Sequence, residues 1–128
     1  MSTWKRKAIE IAPEKRTDLE SVNSPSVVWL YLWPVFEEAV EKNQIKKIKS
    51  IISYAFWCLN AKWNSNNGEQ IILGGRDFFW WLGTRKKYWQ YFKDWFSKSE
   101  FEQVNMLMVN AEDKSKVKEL QEAYRWGK

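Results

Sequence analysis

The sequence predicts an all-α protein, a single compact domain of about five to seven short antiparallel helices. Three observations predict it. Apolar residues recur three and four positions apart along most of the chain, the spacing of a helical face rather than of a strand. Helix-start signals stand where these runs begin, Ser24-Pro25 and the Ser99/Glu102 pair among them. Ten Trp, seven Phe and five Tyr in 128 residues supply a core, since each ring buries roughly 150–250 Å².

The first dozen residues are basic and weakly patterned, which predicts a flexible N-terminal arm over 1–12 and a helical domain over 13–128. Pro13 suits the first turn of a short helix, PEKRTDLESV. Ser24-Pro25 opens the next, with Ser as N-cap. Its apolar side carries Val28, Leu32, Val35, Phe36, Ala39 and Val40, and Glu37, Glu38 and Glu41 face away. Pro34 removes a backbone bond inside that helix, at a cost of about 3 kcal/mol uncompensated. A kink, or two helices meeting at Trp33, is expected there.

The clearest periodicity is Ile45, Ile48, Ile52, Ala55, Phe56, Leu59 and Trp63, which predicts the central helix. Lys42, Lys46 and Lys49 make a cationic stripe beside its first turns. NSNNG at 64–68 is a turn by composition. The apolar pieces IIL and FFWWL that follow could be strands on their own, but Gly83 stands where a helix C′ residue belongs and the neighbours are helical, so a helix over about 67–82 is expected. Gly74 and Gly75 cost ~1 kcal/mol each in a helix and predict either close backbone approach or a break.

Thr84 is placed as the cap of RKKYWQYFKDWFS. At helical spacing Tyr88, Trp89, Phe92, Trp95 and Phe96 share one face, opposite Lys86, Gln90 and Lys93. Most rings of this dense run therefore point inward, although basic residues alternate with them in sequence. Trp80 and Trp81 cannot both face the same way, and Tyr91 falls at the edge of the stripe. Ser99 and Glu102 are read as a capping box before Phe101, Val104, Leu107 and Met108. Val117, Leu120 and Tyr124 mark a last helix.

Composition excludes most chemistry. There is no histidine, the commonest general base and metal ligand. A single cysteine, Cys58, leaves no disulfide and too few thiolates for zinc or iron–sulfur sites, and it lies in an apolar run with no base near it. Leu-Gly-Gly-Arg lacks the spacing and the lysine of a phosphate loop. No enzyme activity, cofactor or metal is expected. The first residues have no secretory h-region, and the longest apolar stretch, 51–59, is far short of the ~20 residues that span a bilayer. A cytoplasmic chain without membrane insertion is expected. The net charge of +5 favours acidic partners weakly.

The stretch SYAFWCLNAKWN resembles small bacterial domains with a Tyr-Ala-x-Trp-Cys-Leu segment mid-chain on a helix. In those domains it follows a Leu/Trp-rich helix ending in acidic residues and precedes a helix with a Phe-Tyr or similar pair. Here the pieces are residues 29–40, 54–59 and 78–81, and the similarity covers about 24–110. Such domains look like polymorphic-toxin immunity proteins, single domains that neutralise a toxin encoded beside them. The resemblance implies a fold and a toxin partner and carries over no catalytic residue. The basic charge is a departure, because immunity proteins against basic nucleases tend to be acidic. It implies a toxin with an acidic surface.

The expected function is thus a non-catalytic binding protein that occludes a protein partner. Its candidate contact residues are Trp80, Trp81, Arg85, Lys86 and Tyr91, around the Gly83-Thr84 junction, since Trp, Tyr and Arg dominate binding hot spots. The alternative is a nucleic-acid-binding domain using basic helix faces and exposed aromatics. A carbohydrate or small-molecule pocket walled by Trp is a third reading.

Overall fold

The computed structural model describes residues 1–126, so the last two positions of the expected 13–128 domain lie outside the described residues. These residues form eight α-helices and no strand: α1 Thr3–Ile11, α2 Arg16–Glu20, α3 Val28–Glu41, α4 Ile45–Leu59, α5 Gly68–Thr84, α6 Phe92–Trp95, α7 Lys98–Met108 and α8 Lys114–Trp126. Three 3₁₀ stretches, Pro13–Lys15, Pro25–Val27 and Lys86–Tyr91, precede α2, α3 and α6. Where the sequence predicts one domain, the chain divides into two compact units, Met1–Phe78 and a second from Phe79 onward. No linker announces the division, because it falls inside α5.

In the first unit, the expected basic arm is instead a helix. Trp4, Ala8 and Ile9 lie on one side of α1 and are buried, and the Tyr54 hydroxyl donates to the Trp4 carbonyl at 2.9 Å. The charges of KRK hid an apolar stripe at positions 4, 8 and 9. The Pro13 segment splits into a 3₁₀ turn and the short α2. Ser24 makes no side-chain cap, and α3 runs through Pro34 as one helix.

α3 ends in a Schellman turn. Asn43 has φ of 53°, Gln44 N–H donates to Ala39 O at 2.8 Å, and Asn43 N–H donates to Val40 O at 3.1 Å. The three-residue turn brings α4 back beside α3. Ile48, Ile51, Ile52, Ala55 and Phe56 of α4 are buried, whereas Trp63 lies beyond the helix and is 58% exposed. Gly74 and Gly75 provide close approach, not a break. A Cβ on Gly74 would come within 2.9 Å of the Trp29 indole, and one on Gly75 within 2.9 Å of Cys58 Cβ. Around them Trp29 stacks on Phe78 at 4.7 Å and Phe36 meets Phe78 edge-on at 5.4 Å.

The second unit is packed around rings. Phe79, Phe92 and Phe96 are fully or almost fully buried, with Phe92 and Phe96 edge-to-face at 5.5 Å. Tyr124 of α8 stacks on Phe101 of α7 at 4.0 Å and donates its hydroxyl proton to Phe96 O at 3.0 Å. Gly83 is not a C′ residue. It lies inside α5 without a positive φ, and its missing side chain lets the Met108 carbonyl close onto the helix. The capping box is formed by Ser97 and Glu100, two residues before the expected pair: Glu100 N–H donates to Ser97 Oγ at 3.2 Å and Ser97 N–H to Glu100 Oε1 at 2.8 Å. Both spacings satisfy the motif, and the chain's extended conformation at Ser97 selects the first.

Candidate functional site

The expected contact residues lie where α5 gives way to the 3₁₀ stretch. Thr84 does not cap the following helix. It is the last residue of α5, with its hydroxyl turned back to donate to Trp81 O at 2.6 Å, and Arg85 leads out of the helix. The next six residues, expected as α-helix, are 3₁₀, a long run for that geometry. The inward face is nevertheless as the spacing predicts, with Tyr88, Trp89, Phe92, Trp95 and Phe96 buried and Lys86, Gln90 and Lys93 exposed. What changes is the pairing of neighbours. With three residues per turn, Lys86 and Trp89 align, and the Lys86 ammonium stands 5.7 Å from the Trp89 ring centre.

The five expected residues are not one patch. Trp81 and Arg85 pair one turn apart on α5 and its exit, the half-buried guanidinium lying 5.1 Å over the indole. From Trp81 a chain of rings continues: Tyr88 at 6.3 Å, then Trp95 at 5.8 Å, then Tyr91 stacked on Trp95 at 5.5 Å. Tyr91 closes this ladder at the surface, 36% exposed. Lys86 turns elsewhere, into an ion pair with Glu119 of α8. The Lys86 hydrogen bond and charge hold the Glu119 carboxyl below its ordinary range. Lys116 approaches the Trp89 ring as well, at 6.0 Å. Trp80 is 50% exposed and has no ring or cation partner among the described residues.

Arg85 differs from its neighbours. Its Nε is buried with no hydrogen-bond acceptor, and no carboxylate pairs with it among the described residues. A guanidinium held flat on an indole keeps a planar fork of donors in one orientation, the geometry that a carboxylate meets with two parallel hydrogen bonds. The corner thus offers one oriented cation, an edge of stacked rings and an open indole nearby in sequence.

Sequence reasoning placed Trp95 on the inward face without joining it to Tyr91, and it missed Glu119. Trp95 had a signal, its spacing of four from Tyr91. Glu119 had none, being 33 positions from the lysine that it pairs with.

Cys58 is buried, and burial pushes its thiol up to about 12, far from a thiolate nucleophile. Among the described residues no His, Cys, Asp or Glu group of three or more is gathered to hold a metal, and no helix is long and apolar enough to cross a membrane. No protein-family model matches this chain, and no curated protein or solved structure matches it either.

Proposed function

We propose that this chain is a non-catalytic cytoplasmic binding protein that acts as an immunity protein. In this reading it occludes a toxin that presents an acidic surface to the corner of Trp81, Arg85 and Tyr91. The observation that carries the proposal is Arg85, a half-buried cation stacked on Trp81 with no carboxylate paired to it among the described residues. An unpaired guanidinium in that setting is costly to keep and well suited to a partner's carboxylate. Trp80, with half its surface open, adds a hot-spot ring. The resemblance of SYAFWCLNAKWN to immunity domains supplies the class of partner.

This corner suits a protein better than a nucleic acid. A strand needs successive open ring faces. Here Trp81 is covered by Arg85, Tyr91 lies on Trp95, and Lys86 is neutralised by Glu119.

The test is affinity capture from the native host with the tagged chain, beside Trp80→Ala and Arg85→Ala variants of unchanged fold. The expected result is one acidic protein, encoded next to this chain, that is captured by the wild type and lost with Arg85→Ala. Capture indifferent to both substitutions, or no protein captured while the gene stays essential after its neighbour is deleted, contradicts the proposal.

A further inference from the structure

The first unit carries a second surface that the corner does not use. The outward face of α4 forms one wall of three successive depressions. The first is lined by Glu38, Lys42, Lys46 and Lys47, the second by Lys7, Lys49, Ser53 and Trp57, and the third by Asn60, Lys62, Asn66 and Asn67. Ser50 borders the first two and Trp57 the last two, so they form one trough. Along the 15 residues of α4 it extends ~22 Å.

The charge along it is uneven. Lys42 is taken up by Glu38 at 2.6 Å and Lys47 by Glu14 at 3.2 Å. Lys46, Lys49 and Lys62 have no acid among the described residues, and Lys7 is engaged only with a ring. The remaining acid of the trough, Glu10, stands 4.0 Å from Arg6. Midway is Trp57, half-buried and nearly parallel to Tyr54 at 5.9 Å, with the Lys7 ammonium 5.3 Å from its ring centre. Ser50, Ser53, Asn66 and Asn67 add side-chain hydrogen-bonding groups with no partner among the described residues.

We propose that this trough binds a short single-stranded nucleic acid. Its phosphates lie on Lys46, Lys49, Lys7 and Lys62, and one unpaired base stacks on Trp57. The base replaces the Lys7 ammonium over the indole and releases Lys7 to a phosphate. The trough's length suits the lower end of the ~4–16 nucleotides that a single-strand groove covers. A single strand is favoured over a duplex because a ring between phosphate contacts needs an unstacked base. It is favoured over a bilayer because the lysines line a row of depressions between side chains rather than one open face. The inference stands apart from the Arg85 corner.

The test is fluorescence anisotropy of a labelled twelve-residue oligothymidylate at low salt, with inorganic polyphosphate and anionic phosphatidylserine vesicles as competitors. Four lysine–phosphate contacts predict a slope of about −3 in log K against log salt. The double variant Lys46→Glu/Lys49→Glu is expected to abolish binding. Trp57→Ala is expected to weaken the oligonucleotide by about tenfold and leave polyphosphate unchanged, and Arg85→Glu to leave both within about threefold. Circular dichroism and urea midpoints of each variant confirm that the fold persists. No binding of the wild type at low salt overturns the inference, as does binding indifferent to the lysine reversals. Equal loss of polyphosphate and oligonucleotide in Trp57→Ala, or vesicles displacing the oligonucleotide best, overturns it too.

Discussion

Two stretches, α4 in the first unit and the 3₁₀ stretch Lys86–Tyr91 in the second, use the same residue types in different ways. In Met1–Phe78, the large rings Trp29, Phe36 and Phe78 are locked inside, and Lys46 and Lys49 of α4 meet neither an acid nor a ring among the described residues. Around the 3₁₀ stretch of the second unit the cations lie on rings: Arg85 on Trp81, Lys86 on Trp89, Lys87 on Tyr88. The difference follows from local geometry. α4 is a long regular α-helix that separates apolar from basic positions around its axis. The 3₁₀ stretch Lys86–Tyr91 stacks every third residue, so Lys86 and Trp89 meet in space. A composition rich in both types therefore fixes neither arrangement. The helix period decides.

The largest contrast is at the glycines. Gly83→Ala drives a Cβ into the Met108 backbone carbonyl, and Gly74→Ala drives one toward the Trp29 side chain. A backbone atom held by its own helix yields less than a ring. We expect Gly83→Ala to cost about 3 kcal/mol, the upper end for overpacking, and Gly74→Ala about 1–2 kcal/mol after the gain in helix propensity. Urea denaturation of the two variants measures both. Equal costs would remove this contrast.

The buried thiol sharpens the comparison next, because it belongs to the first unit only. Native Cys58 keeps its proton up to about 12, whereas an unperturbed thiol loses it near 9.0. Below pH ~9 both states are protonated and the group adds no pH dependence. Above it the unfolded chain holds fewer protons, so stability falls as pH rises, by about 1.4 kcal/mol per unit from this group until the native thiol titrates. Cys58→Ala is expected to flatten the stability profile between pH 9 and 10. A thiol reagent at pH 8 should react with the unfolded chain and spare the native one.

A smaller effect separates the two readings of one cap in the second unit. Ser97→Ala should lower stability by about 1 kcal/mol, and Ser99→Ala should change the urea midpoint little. The reverse order would place the capping box where the sequence alone placed it.

Much of the fold was legible because burial follows period. The core positions of α4 and the inward set Tyr88, Trp89, Phe92, Trp95 and Phe96 follow from spacing, whereas the helix over α5 was expected from its neighbours and from a Gly83 stop that the structure does not have. What was not legible depended on contacts distant in sequence or on backbone detail. α1 was hidden because its stripe of Trp4, Ala8 and Ile9 is read as core only once Tyr54 and α4 stand beside it. The Schellman turn at Asn43 lacked the usual glycine, and Gly83 mimicked a helix stop while serving contact with Met108. At the corner, the spacing of four between Trp81 and Arg85 was visible in the sequence. The removal of Lys86 by Glu119 was not.

The central claim is that Arg85 is held unpaired to receive a partner's carboxylate. Its most direct measurement is the affinity of the captured partner for two variants with the same charge change, Arg85→Glu and Lys46→Glu. The account predicts at least a hundredfold loss for Arg85→Glu and less than threefold for Lys46→Glu. Equal losses would mean that net charge alone attracts the partner, and a larger loss for Lys46→Glu would move the interface to α4.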